Sequence, residues 1–438
     1  MNRRAQDIKV ITLCFFIMNY FLLQAQNNLT LQDAIGTTLK NNYGIQIVQY
    51  EKQITDLQNH PGYAGMLPTV SATAIYQTEL SNTEQRYFSG ETRSEQNAGA
   101  TLIDAGVYLN YTVFDGLRMF ATKERLEELA AMGELEVRRQ MEETIFLLMS
   151  NWYQLIQLQN GLQVIGDAID ISAERFSIAT ARQNAGAASG LDVIQAQVDL
   201  NADSSLYINI LLQIENLKIN INQLMSSDPA TSFETNDTIV VEDDLLLEVI
   251  LSESSLMNTD ILLAQKDQQI VDLQVKEFKS YMYPTLDLTG GYGYLRSTSE
   301  AGFVESNLSY GPSVLFTLNI PLFNAFTTSR NLEGSQITQQ IKQTQIRQTE
   351  LTVRSSISTV YNQYRTSLDL IKLENRNIEA ARKTVDIALE KFNLGSLTSV
   401  ELREIQQTQI DAENRLLIEQ LNAKLAELQL KKLSGRLL

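Results

Sequence analysis

Cysteine is almost absent. The single thiol in 438 residues, Cys14, lies in an apolar run near the N-terminus, so the rest of the chain has no disulfide and no thiolate metal site. Histidine also occurs once. His60 sits in a His-Pro-Gly cluster with no acid or cysteine motif beside it, which favours a surface turn over catalysis or metal binding. Proline occupies six positions: 61, 68, 229, 284, 312 and 321. None falls between Pro68 and Pro229 or after Pro321, so nothing there forces a helix to stop. Charged residues make up 20% and the formal net charge is −17, which argues against a nucleic-acid partner. Beyond the N-terminus no stretch approaches the roughly 18 apolar residues of a spanning helix. If the chain enters a membrane, it does so through strands. There is no P-loop, nucleophile elbow, metal cluster or acid–base pair. Gly290-Gly291-Tyr292-Gly293 lies inside a strand pattern and is not a phosphate loop. The expectation is a protein without enzymatic activity, cofactor or metal.

The N-terminus reads as a secretory signal over residues 1–25. Arg3, Arg4 and Lys9 form a basic start, Ile11 to Leu23 is an apolar run of 13 residues, and Ala25 suits the last position before cleavage. No cysteine stands at that point to carry a lipid anchor.

What is abundant is repetition. Asn184 to Ile208 and Asn393 to Leu417 both open with Asn-x-Gly, then small residues, an acid (Asp192, Glu401) and a helical pattern. Apolar positions then coincide at an offset of 209. Val193, Ala196, Leu200, Tyr207, Ile210, Ile214, Leu217, Ile221 and Leu224 match the spacing of Leu402, Ile405, Ala412, Leu416, Ala423, Ala426, Leu430 and Leu433. Only Asp203, Gln409 and Glu419 interrupt the seams. Heptads kept in register twice indicate a duplicated coiled-coil hairpin, with Gly186 and Gly395 at the turns, where positive φ is needed. Earlier in each half QITDLQ (53–58) recurs as QIVDLQ (269–274), and Pro68-Thr69 recurs as Pro284-Thr285. The chain divides into a first repeat (26–228), a linker (229–257) and a second repeat (258–438).

Each repeat begins with a medium helix, roughly 42–63 and 258–281. After the proline, alternation marks strands. Val70, Ala72, Ala74 and Tyr76 alternate with polar residues, as do Leu286, Leu288, Tyr292 and Tyr294. Polar loops are expected near 78–105 and 296–311. Return strands carry Val107, Leu109, Tyr111 and Val113, and Val314, Phe316, Leu318, Ile320 and Leu322. Two proline-free helices of 67 and 68 residues follow, over 117–183 and 325–392. At 1.5 Å per residue each runs roughly 100 Å. The returning helices are shorter, and one medium helix stacked end to end on one returning helix makes up the difference.

Four strands with one apolar and one wet face cannot close a barrel alone, and open edges are not tolerated in lipid. At least eight strands are needed, so the barrel must be shared. Three copies give twelve strands. The last helix carries a second apolar line, Ile410, Leu417, Leu421 and Leu428, so it can contact a neighbour on each side. The rival reading is a periplasmic coiled-coil scaffold or adhesin without a pore, but a scaffold has no reason to alternate its strands.

In these features the sequence resembles the TolC family of bacterial outer-membrane efflux proteins, over essentially the whole chain after the signal. The resemblance rests on the duplication, on the helix-to-strand junctions at Leu67-Pro68 and Tyr283-Pro284, on the strand-to-helix junctions Phe114-Asp115-Gly116 and Pro321-Leu322-Phe323, and on the hairpin GAASGLDVIQAQVDL. It implies a membrane α+β protein: a homotrimer whose twelve-stranded outer-membrane β-barrel, four strands per chain, continues into a long α-helical periplasmic tunnel. It implies outer-membrane lipid around the barrel, and a periplasmic adaptor protein and inner-membrane transporter at the tunnel tip. The function implied is passive conduction in tripartite efflux or type I secretion. It also implies that Glu401 and Glu404 ring the tunnel aperture, where mutual repulsion raises carboxyl pKa values and weakens selectivity toward pH 5. In the family an acid at Asp192 pairs with an arginine two residues after the second glycine. That position here is Leu397, and the family's gate tyrosine is Phe392. Arg403 and Lys391 are the cations left to substitute.

Overall fold

The computed structural model describes residues 28–438; the signal segment and Cys14 lie outside the described residues. The elements run α1 (Leu31–Asn41), α2 (Tyr43–Gln58), β1 (Thr69–Arg86), β2 (Thr92–Phe114), α3 (Arg118–Asn184), α4 (Gly190–Leu224), α5 (Leu247–Met257), α6 (Thr259–Ser280), β3 (Thr285–Ser299), β4 (Ser306–Asn319), α7 (Thr327–Asn393) and α8 (Ser399–Ser434). They form two compact bodies. One comprises residues 50–135 and 263–348; the other comprises the remainder.

The first body holds a four-stranded antiparallel sheet in the order β1-β2-β3-β4. Register explains its faces, because residues directly opposite share a side. Val70 opposes Leu109, Ala72 opposes Val107 and Tyr76 opposes Ile103. Val107 in turn opposes Tyr292. Leu288 opposes Phe316, and Tyr294 opposes Tyr310. These side chains make one continuous apolar face. The other face is polar: the Thr112 hydroxyl donates to Asp287 at 2.8 Å and the Thr289 hydroxyl to Asn110 at 3.1 Å. The glycine-rich run in β3 also has its reason there. A Cβ at Gly291 would stand 2.5 Å from the Tyr108 ring, and one at Gly106 would stand 2.7 Å from it. These glycines make room for an aromatic lying across the polar face. Both edges, β1 and β4, lack a partner strand among the described residues.

The loops expected near 78–105 and 296–311 are mostly strand. β1 continues to Arg86 across a register shift at Ser81/Thr83, and its turn spans only 87–91. β3 reaches Ser299 and β4 begins at Ser306. Alternation detects half-buried strands; a ladder whose two faces are both polar satisfies its backbone equally well and leaves no such trace. Conversely, Ile320 and Leu322 fall outside β4, because Pro321 cannot donate to a ladder.

The second body is helical. The long helices span 67 residues each, as α3 and α7; their first turns, 118–135 and 327–348, belong to the first body and the rest to the second. Two 11-residue helices, α1 and α5, were not anticipated, and α5 occupies the end of the segment read as linker. Isolated helices that short leave little periodic signal, and α5 has no side-chain cap. The expected end-to-end stacking is fastened by one asparagine in each repeat. Asn42 accepts from the Ile45 amide at 3.1 Å, capping α2, and donates to Leu224 O at the end of α4 at 2.8 Å. Asn258 likewise accepts from Ile261 at 3.1 Å and donates to Leu433 O at 3.0 Å at the end of α8.

The main core gathers around Trp152, fully buried, which stacks on Phe233 at 5.9 Å and donates its indole N–H to Asp237 at 3.0 Å. The two apolar lines of α8 go to different cores. Ile410, Leu421 and Leu428 join the Trp152 core, whereas Ala426, Leu430 and Leu433 join a cluster with Val353, Ile357 and Tyr364 of α7. Within one chain α8 thus packs on both sides. A different seam stays uncovered: Leu191, Ile194, Val198, Ile208, Leu212 and Ile219 of α4 keep heptad spacing, and each is at least 44% exposed.

Candidate aperture site

Both hairpin turns are built alike. After α3, Gly186 adopts φ +74 and the Ala187 amide donates to Arg182 O at 2.8 Å; after α7, Gly395 adopts φ +77 and the Ser396 amide donates to Lys391 O at 2.9 Å. Each is a left-handed helix terminus that satisfies the last carbonyls. The following helices then begin with a capping box. Ser189 receives the Asp192 amide while Asp192 accepts the Ser189 amide at 3.0 Å. Thr398 receives the Glu401 amide at 3.2 Å, and Glu401 accepts the Thr398 amide at 2.9 Å and hydroxyl at 2.7 Å.

Asp192 and Glu401 therefore do the same local work. The hydrogen bonds from Thr398 hold the Glu401 carboxyl below the usual carboxylate range. This is opposite in direction to the rise expected from ring repulsion, because the cap stabilises the charged form within one chain. Glu404 is exposed one turn further on, on the same helix face.

The gate positions that depart from the resembled pattern pack together. Phe392 and Leu402 are buried with Ala388, and Leu397 packs against them. Arg403 does not reach toward Asp192. It makes a two-pronged ion pair with Asp203, both contacts 2.8 Å, and Asp203 also accepts the Ser172 hydroxyl at 2.7 Å. Gln406, almost fully buried, donates to Ala168 O at 2.9 Å. Arg175, with no exposed side-chain surface, pairs with Asp199. A polar knot thus joins α3, α4 and α8 just behind the turns. Its signal in the sequence is the interruption of the α4 seam at Asp203. Lys391 is exposed. Arg182, which sequence reasoning missed, donates to the carbonyls of Phe392 and Asn393 and lies 4.8 Å over the Phe392 ring. It caps the C-terminus of α7, where a cation is favoured.

The junction residues lie in the other body. Pro68 and Pro284 each stand one residue before a strand, and Pro321 two residues after β4. At the β2–α3 junction Gly116 adopts φ +72, and a Cβ there would stand 2.6 Å from Ser280 O. Asp115 caps α3 through the Met119 amide at 3.0 Å. His60 accepts the Gly62 amide through Nδ1 at 3.1 Å in its turn. Among the described residues no helix is long and apolar enough to cross a membrane.

Residues 250–436 match the family model for outer membrane efflux proteins. The toluene efflux pump outer membrane protein TtgC of Pseudomonas putida is 21% identical over 417 residues, covering 92% of this chain and 82% of that protein. The outer membrane protein TolC of Salmonella enteritidis is 22% identical over 369 residues, covering 77% and 72%. The crystal structure of the Campylobacter jejuni CmeC outer membrane channel superposes with a TM-score of 0.76 at 16% identity, covering 93% of this chain and 86% of that one. With four sheet strands, two 67-residue helices and a duplicated hairpin, the chain is similar in sequence and fold to outer membrane efflux proteins of the TolC kind.

Proposed function

We propose that this protein is the exit duct of an efflux or secretion system, a passive channel of the outer membrane that extends into the periplasm. The observation that carries the reading is the sheet. It has one apolar face, one polar face and two unpaired edges, so it is stable in lipid only as part of a closed barrel. Three chains supply twelve strands. The uncovered α4 seam supports the same assembly, since a second copy is the natural cover for a heptad line left in water. In that trimer the apolar face meets lipid and the polar face lines the pore. The hairpin turns with Glu401, Glu404 and Asp192 form the narrow end, where a periplasmic adaptor and an inner-membrane transporter dock and supply the energy.

The aperture is testable in planar bilayers. Six carboxylates in a constriction focus a negative potential, so the channel is expected to prefer cations and to be blocked by multivalent cations from the aperture side. Glu401→Gln with Glu404→Gln is expected to remove the block while keeping the cap, because glutamine also serves at the third position of a capping box. Block as strong as the parent's would leave these acids as helix-start residues only. The pH dependence has a definite sign. The Glu401 pKa is lowered on folding, so its charge and the cap are fully present above the unfolded value of 4.5 and fade only as pH falls through the lower folded value. Selectivity owed to Glu401 should therefore survive at pH 5.

A further inference from the structure

Where the sheet meets the helices, a concavity of about 440 Å³ opens between the start of α3 and the end of α6. Its walls nearest the sheet are apolar: Phe114, Leu117, Phe120 and Tyr283. Leu117 and Phe120 are 60% and 53% exposed. Leu117 is held outward by a left-handed backbone, φ +70, which costs a non-glycine residue energy and persists only where the surroundings impose it. Phe114 opposes Leu286, and Leu286 opposes Leu318, so the groove continues the apolar face of the sheet. The polar face ends elsewhere, at Asp115, Arg118 and Asn324, which line a separate depression.

One and two helical turns farther from the sheet, the same wall of α6 carries Lys279 and Lys276. At 1.5 Å per residue, Lys276 lies roughly 6 Å along the helix axis from Ser280, the last residue of α6. Lys276 pairs with Glu124 at 3.1 Å; Lys279 has no ion-pair partner among the described residues. Moving away from the lipid-facing belt, the order is aromatic, then cationic. That is the order a glycerophospholipid presents, acyl chain toward the membrane core and phosphate outward. The groove lies below the two central strands, away from the β1 and β4 edges where another copy would join. The equivalent junction, after α2 and at the start of α7, lacks these residues: His60 and Tyr63 stand at the positions of Lys276 and Lys279, and Ser329 at that of Phe120.

From this geometry we infer that the groove binds an anionic glycerophospholipid of the leaflet nearer the helices, with Lys276 and Lys279 on its phosphate and an acyl chain along Phe114, Phe120 and Tyr283. The inference rests on the outer-membrane reading above. There is one site per chain, hence three per trimer. A membrane-surface lysine is worth about a fivefold change in affinity for anionic lipid.

The test is native mass spectrometry of the delipidated, detergent-solubilised trimer, titrated with dioleoyl-phosphatidylglycerol. Expected are three tight lipids per trimer, binding weakened roughly 25-fold by Lys276→Gln with Lys279→Gln, weaker binding of phosphatidylcholine, and no competition by millimolar inorganic phosphate. Lys279→Gln alone orphans no carboxylate, so it carries the test, at about fivefold, should the double variant fail to assemble. Phe120→Ser should weaken binding as well. Lipid binding unchanged by the lysine variants, equal binding of phosphatidylcholine, or displacement by free phosphate would each overturn the site. The parent's mass separates the two readings: absence of a trimer contradicts the shared barrel, whereas a trimer with lysine-independent lipids contradicts only this groove.

Discussion

Arg403→Met should destabilise the helical body by about 3–5 kcal/mol, the cost of leaving a buried charge without its partner. Asp203 is only 5% exposed and would keep a single hydrogen bond, from Ser172. The loss reflects the stranded carboxylate more than the worth of the pair, since both ions were desolvated to form it. Replacing both, as Asp203→Leu with Arg403→Met, should therefore recover most of the stability. Trp152, the only tryptophan in the chain, is fully buried in this body and reports its unfolding by fluorescence. A single variant within about 1 kcal/mol of the parent, or a double variant as unstable as the single, would show that the knot is peripheral.

Gly435→Val is expected to cost more than about 3 kcal/mol, combining the left-handed penalty with overpacking. Gly435 ends α8 at φ +79, and a Cβ there would stand 2.6 Å from Met257 O, a backbone atom that cannot swing aside. The hydrogen bonds from Gly435 and Arg436 to Lys432 O and Lys431 O depend on this conformation. The tip glycines share the φ but not the crowding. Gly186 has nothing within 4 Å of its virtual Cβ, and Gly395 only an Arg182 side-chain nitrogen at 3.9 Å. Gly186→Val and Gly395→Val should therefore cost about 1–2 kcal/mol and loosen only the tips. Thermal melts followed at Trp152 should move strongly for Gly435→Val and little for the tip variants, whereas proteolysis at the turns should show the reverse. Equal melting shifts at all three positions would contradict this account.

The contrast shows what a sequence can and cannot convey. Gly186 and Gly395 stand out because an Asn-x-Gly turn precedes a capped heptad helix in both repeats. Gly435 does not stand out, because its constraint comes from Met257, 178 positions away. The long helices were legible from the missing prolines, and the faces of the sheet from period-two alternation. The outer parts of the strands were not, since both of their faces are polar and the ladder itself supplies the stability. At the tip, the acids Asp192 and Glu401 could be found by repetition, and their capping role follows from Ser189 and Thr398 three residues earlier. Arg182 could not be found so. Its partners are carbonyls of Phe392 and Asn393, and backbone acceptors carry no residue-type signature. Arg403 was visible as a nearby cation, but its choice of Asp203 over Asp192 depends on the packing of three helices. Asp192 is occupied at its own helix start, and Asp203 faces the buried interior.

The central claim is that each chain holds four strands of a barrel closed only by other copies. The most direct measurement is the native mass of the protein extracted in mild detergent from the outer-membrane fraction. The account predicts three chains, in a species that dissociates to single chains on heating. A stable, folded single chain in that fraction, with its β1 and β4 edges unpaired, would contradict it.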